Sequence, residues 1–85
     1  MSSYIVYAIV SKVDGRIYVG LSSQLNIRLL EHNSGYVKST QAYRPWAVFY
    51  TEEANTRLEA RKREKYLKSG FGKEFLKAIR DSIRG

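Results

Sequence analysis

Arg28 and His32 stand four residues apart, a spacing that stacks a guanidinium and an imidazole on one face of a helix. Two phenols, Tyr7 and Tyr18, and one carboxylate, Glu64, complete a set of side chains able to bind an anion, move a proton or hold a hard cation. A phenol has an ordinary pKa near ~10, so base chemistry from either tyrosine needs a cation or metal close by to favour the phenolate. Arg28, His32 or a bound ion could supply that charge. His32 suits orienting Tyr7 or relaying its proton, and equally suits a hydrogen-bonded place near a helix C-terminus, where the positive form is favoured. The chain has no cysteine and a single histidine. Disulfides, thiolate zinc sites and cysteine nucleophiles are excluded, and the nitrogen-rich shell that zinc usually takes is out of reach. A hard cation with oxygen ligands remains open.

The elements that must position these groups follow from the pattern around them. Tyr4 to Val10 and Arg16 to Leu21 are dense in β-branched and aromatic residues, and Asp14-Gly15 between them is a hairpin signal. A two-residue loop there would set Val13 against Arg16, Ser11 against Tyr18, Ile9 against Gly20 and Tyr7 against Ser22. Tyr7, Ile9, Tyr18 and Gly20 then share one side of the hairpin, while Val6, Ala8, Val10, Val19 and Leu21 share the other. Gly20, opposite Ile9 in that register, leaves room for a side chain or a substrate backbone to approach. Leu25, Leu29 and Leu30 mark a short amphipathic helix over residues 24–33, stopped by Asn33-Ser34-Gly35. Residues 34–45, rich in Gly, Ser, Thr, Tyr and basic side chains and closed by the only proline, read as an exposed loop. Residues 46–51 read as a third strand. Thr56 and Glu59 form a capping box that opens a helix running to Ser69-Gly70, and on it Ala60, Glu64 and Leu67 fall at i, i+4 and i+7. Glu64 is the acid that interrupts this small-and-apolar stripe. A last amphipathic helix is expected over residues 73–83.

With 85 residues and 9.8 kDa the chain has the size of one domain, residues 1–85, with no room for a second core. Hydrophobic residues at 44% and charged residues at 27% exclude wholesale disorder and coiled coils. The longest apolar run, residues 4–10, is too short to cross a bilayer, and no basic segment precedes it. A cytoplasmic protein that neither spans a membrane nor carries a secretory signal is expected. The net charge is +7, and residues 57–85 hold ten basic and four acidic side chains. Such an excess is the footprint of a protein that meets polyanions, although a solvated basic helix face would also produce it.

The order Ile5-Val6-Tyr7, Tyr18-Val19-Gly20, Arg28 and His32 in a helix ending in His32-Asn33-Ser34-Gly35, then Glu64-Lys65-Tyr66-Leu67-Lys68 resembles the GIY-YIG nuclease superfamily. It is most similar to the small stand-alone bacterial members, and the likeness runs from about Tyr4 to Lys77. The resemblance implies an α+β (α/β) fold, a three-stranded antiparallel sheet flanked by helices in the order β-β-α-β-α-α. It also implies a metal-dependent endonuclease that hydrolyses phosphodiester bonds, on DNA rather than RNA. Residue by residue, Glu64 would be the protein ligand of Mg²⁺ or Mn²⁺, with water and phosphate oxygen filling the remaining positions. Arg28 would bind the scissile phosphate, Tyr7 would act as general base or nucleophile activator, and Tyr18 would position the attacking water or phosphate. Without the resemblance, Glu64 would be one half of an i, i+4 pair with Lys68 contributing ~0.3–0.5 kcal/mol, and each tyrosine half-buried packing.

For nucleic-acid contact, Lys38, Thr40, Tyr43 and Arg44 in the loop, and Arg61, Lys62, Lys65 and Lys68 on the Glu64 helix, offer phosphate binding and base stacking. No separate recognition module is expected, so cutting would be structure-selective or weakly sequence-specific, with specificity from this surface or from a protein partner. Two departures from the family pattern stand out. Ile5 replaces the first glycine, which concerns packing, and no asparagine follows Asn55, where some relatives place one near the metal. The competing readings are a non-catalytic nucleic-acid-binding module of the same fold and a domain whose basic helices bind an acidic protein.

Overall fold

The computed structural model describes residues 3–84, which form three strands and three helices in the expected order. These are β1 (Tyr4–Ser11), β2 (Ile17–Ser22), α1 (Leu25–Ser34), β3 (Trp46–Ala54), α2 (Arg57–Lys68) and α3 (Gly70–Arg84). The sheet is antiparallel throughout in the order β2-β1-β3, which puts β1 in the centre and leaves β2 as an open edge.

The hairpin closes two residues further out than Asp14-Gly15 alone suggests. Tyr7 pairs with Gly20 and Ile9 with Tyr18, not with Ser22 and Gly20. The cause is Ser11, whose hydroxyl accepts from the Val13 and Asp14 amides at 3.0 and 3.4 Å and donates to the Tyr43 carbonyl at 2.7 Å. Those side-chain bonds hold a four-residue loop, 12–15, closed by the Ser11 amide on the Arg16 carbonyl at 2.9 Å. A slip of two leaves every residue on its expected face. Tyr7, Ile9 and Trp46 accordingly form one buried cluster, and Val6, Ala8 and Val19 pack on the other side against Ala60, Leu67 and Leu76 from α2 and α3.

The helix ends carry the expected chemistry. Gly35 adopts φ +88° and caps α1 through its amide on Glu31, a left-handed conformation that costs glycine nothing. Thr56 Oγ1 accepts from the Glu59 amide at 3.1 Å at the start of α2. β3 runs three residues beyond the expected end, because β1 pairs with it out to Tyr4–Ala54. α3 begins three residues before the expected start, since the Ser69 carbonyl already accepts from Lys73 at 2.8 Å. At Gly72 a β-carbon would run into the backbone of Tyr66 and Leu67, so glycine lets the two helices turn tightly. No helix among the described residues is long and apolar enough to cross a membrane.

Candidate active site

Tyr7 sits in the middle strand and is 1% exposed. Its phenol lies across Gly20, where a β-carbon would stand 2.6 Å from the Tyr7 hydroxyl oxygen and 3.2 Å from the Tyr18 ring. The space left by Gly20 is therefore filled by Tyr7 itself, its direct partner across the hairpin. Behind the phenol, its hydroxyl is 2.9 Å from His32 Nε2, and His32 Nδ1 is 2.9 Å from Thr40 Oγ1. The Thr40 hydroxyl donates to the Val37 carbonyl at 3.3 Å, so toward His32 it can only accept. That places the imidazole proton on Nδ1 and leaves the Nε2 lone pair to receive the Tyr7 O–H. His32 and Thr40 are both fully buried.

The loop that carries Thr40 is fixed by β3. Trp46 Nε1 donates to the Thr40 carbonyl at 2.9 Å. Asn33 brackets the Trp46 backbone, accepting from its amide at 2.6 Å and donating to its carbonyl at 3.1 Å. Tyr18 covers His32 edge-on, with ring centroids 5.0 Å apart, and meets Trp46 at 6.4 Å. The end of α1, the loop and the start of β3 thus hold one imidazole in one orientation.

Burial pushes the Tyr7 pKa up to about 12, against the opposing pull of the Arg28 guanidinium. The resting phenol is protonated. His32 moves the other way: burial, and then the Arg28 charge, hold it below its usual value. At neutral pH it is an uncharged proton acceptor, and the cation beside Tyr7 is Arg28 rather than His32. Arg28 pairs with Glu31 at 2.9 Å on its own helix, with both side chains about one-third exposed.

Tyr7, Tyr18, Arg28 and Glu64 line one cleft of 370 Å³, with Arg57 and Arg61 along its α2 side. The Glu64 side chain is 12% exposed, with Lys68 Nζ at 3.1 Å and Arg61 at 3.7 Å. The i, i+4 pair with Lys68 is therefore real, and it is formed by a carboxylate that also faces the phenols. Four of the five candidate catalytic residues share the cleft, and the fifth, His32, stands directly behind Tyr7 and is hydrogen-bonded to it.

The candidate nucleic-acid contacts divide. Arg61 lines the cleft, and Lys68 pairs with Glu64. Lys65 is exposed outside the cleft, and Lys62 borders an acidic stretch of Glu52, Glu53 and Glu59. Lys38 and Arg44 are exposed, while Tyr43 lies under the Arg16 guanidinium at 3.5 Å from the ring centre, away from the cleft. Thr40 does not face a substrate at all, because its bonds to His32, Val37 and Trp46 draw it into the interior. Arg57 escaped the sequence reading, although 57, 61 and 64 stand at i, i+4 and i+7 and so share a helix face.

The profile of the GIY-YIG catalytic domain matches residues 3–77. The chain belongs to the GIY-YIG family. It is 37% identical over 82 residues to UPF0213 proteins of Staphylococcus epidermidis and Staphylococcus aureus, a match spanning 95% of this chain and 99% of each relative. The solution structure of the UPF0213 protein from Bacillus halodurans aligns with a TM-score of 0.55 at 29% identity, covering 91% of this chain and 84% of that one. Membership of GIY-YIG places the chain in a nuclease superfamily, in agreement with the shared cleft of two phenols, a guanidinium and a carboxylate.

Proposed function

We propose that this chain is a metal-dependent endonuclease that hydrolyses phosphodiester bonds in DNA, selecting structure more than sequence. The observation that carries the reading is the convergence of Tyr7, Tyr18, Arg28 and Glu64 on one cleft, with a fully hydrogen-bonded imidazole behind Tyr7.

The donor set fits a hydrated hard cation. Glu64 is the carboxylate of the cleft, largely enclosed, and among the described residues no three or more His, Cys, Asp or Glu cluster as a metal shell. Mg²⁺ and Mn²⁺ suit such a site, where Glu64 would hold the ion together with water and substrate phosphate. When bound, the ion supplies Lewis-acid stabilisation of charge on the phosphate.

The remaining chemistry belongs to the chain. Arg28 meets the phosphate with a planar fork of donors and offsets the charge that builds on it, and Arg57 and Arg61 hold the flanking backbone. Attack by water requires removal of a proton at a site where the nearest phenol is itself protonated. Tyr7 resolves this by passing its proton to Nε2 of His32 as it takes one from water, with Arg28 favouring the transient phenolate. Thr40 is a positioning residue, because its oxygen fixes the tautomer that leaves Nε2 free. Tyr18, on the same wall, orients the water or a phosphate oxygen.

The test is gel-resolved cleavage of supercoiled plasmid and of a flapped duplex with Mg²⁺ or Mn²⁺, beside a Glu64→Gln variant. Cleavage by the parent should fall at least ~100-fold in Glu64→Gln and disappear with chelator. A parent that binds both substrates and cuts neither would make the chain a binding module instead.

A further inference from the structure

A second depression, an apolar groove of 440 Å³, opens along the same edge strand as the cleft. Its floor is Ile17, Val19, Leu67 and Leu76, and its rim carries Arg16, Lys68, Lys73, Lys77 and Arg80, with no acidic residue among those that line it. Lys73, Leu76, Lys77 and Arg80 stand at i, i+3, i+4 and i+7 of α3, so the cations form a continuous stripe about 10 Å long. Arg80 is engaged by the hairpin, donating to the Gly15 carbonyl at 2.9 Å. Lys73 and Lys77 are exposed. Lys77 makes a 3.5 Å contact with Glu74, a solvated pair on one helix face that yields readily to a phosphate.

We infer that this groove holds the unpaired nucleotides that adjoin the scissile phosphate, which makes the preferred substrate a duplex with a single-stranded arm. The inference rests on the endonuclease reading of the neighbouring cleft. Duplex DNA turns phosphates outward and keeps its bases stacked inside, so it would meet the rim and leave the apolar floor unused. An unpaired nucleotide offers both surfaces at once, a flat apolar base for the floor and a phosphate for the lysines. Continuity decides for the substrate strand over an acidic protein. Tyr18 lines both depressions, and Arg16 at the groove end lies only about 7 Å further along the strand direction. A strand with one phosphodiester in the cleft passes Tyr18 and enters the groove with its next nucleotides.

The test compares fluorescence-anisotropy affinities of the full chain, in chelator, for a blunt duplex and for the same duplex with a single-stranded arm. The parent should favour the armed duplex about 10-fold, the scale of one base held on a protein surface. In a Lys73→Gln/Lys77→Gln variant, whose fold is checked by thermal melting, that preference should fall to within about 2-fold of unity. The salt dependence for the armed duplex should drop by about 1.4 log units per log unit, two single-strand phosphate contacts. An unchanged armed-to-blunt ratio in the variant overturns the inference and is also the result expected if the groove serves an acidic protein or a second copy of the chain. Parallel cleavage with Mg²⁺ or Mn²⁺ separates the two readings. Cutting with an unaltered preference in the variant defeats the groove alone, whereas an arm preference that the variant loses, without cutting by the parent, defeats the endonuclease reading and keeps the groove.

Discussion

The two faces of the sheet are made by alternate residues of the same strands, yet they are held by different forces. On one side Val6, Ala8 and Val19 meet Ala60, Leu67 and Leu76, and every contact is dispersion and excluded water. On the other, Tyr7, His32, Thr40 and Trp46 are joined by hydrogen bonds whose donors and acceptors are fixed, the Thr40 hydroxyl donating to Val37 and accepting from His32. The first face asks only for the right volume. The second asks for particular atoms, which is why it can specify the direction in which a proton moves.

That contrast is breakable by mutation, most severely at Tyr7. Tyr7→Phe keeps the ring and deletes the hydroxyl, and cleavage should fall by ~100- to 10,000-fold while stability shifts by about 1–3 kcal/mol, as His32 Nε2 loses its partner. Val6→Ala on the opposite face, which lines neither the cleft nor the groove, should lower stability alone, by about 1–3 kcal/mol, with turnover per folded molecule unchanged. Kinetics paired with denaturant unfolding check both, and equal losses of activity and stability in the two variants would dissolve the distinction.

Thr40→Val, close in shape but without the acceptor, should lower cleavage ~10-fold and cost about 1–3 kcal/mol by stranding the Nδ1 proton. Thr40→Ser should restore most of both, whereas a purely packing role would favour Val over Ser. At Gly20, an Ala side chain would press on the Tyr7 hydroxyl end, and the strain should cost about 1–3 kcal/mol with a several-fold loss of rate. A melt and a single-turnover rate measure it.

The mildest probe is pH. His32 binds its proton less readily in the folded chain than in the unfolded one, so the unfolded state takes up protons first as pH falls below about 6.5. Stability from this residue is complete above that value and is lost progressively toward the lower folded pKa. Cleavage should follow the same limb, flat through neutrality and falling in acid. A rate that rises as the imidazole charges would mean that His32 acts as a cation after all.

Much of this arrangement was legible in residue types alone, for identifiable reasons. Asp14-Gly15, the Thr56–Glu59 box and Gly35 are local signals, and each marks its turn or helix end in the structure. The face shared by Tyr7 and Tyr18 survived an error of two in register, because strand faces repeat every two residues. The register itself depended on the Ser11–Tyr43 bond between distant segments, which no local pattern announces. Thr40 was hidden for a related reason. In a polar loop its type suggests exposure, and only the arrival of Trp46 and His32 on either side carries it inside. Arg57 and the α3 cation stripe, by contrast, were written in helical spacing and could have been read.

The central place of β1 also bears on how the molecule is made. Synthesis delivers Tyr7 and Tyr18 together within the first hairpin, but the Tyr43 carbonyl that anchors Ser11 comes later, the second partner of β1 only with residues 46–54, and Glu64 later still. A half-made or clipped chain that ends before α2 therefore carries the phenols without the acid. On the proposed chemistry its fragments are silent, and cutting begins only when the ribosome has finished the helix that closes the cleft.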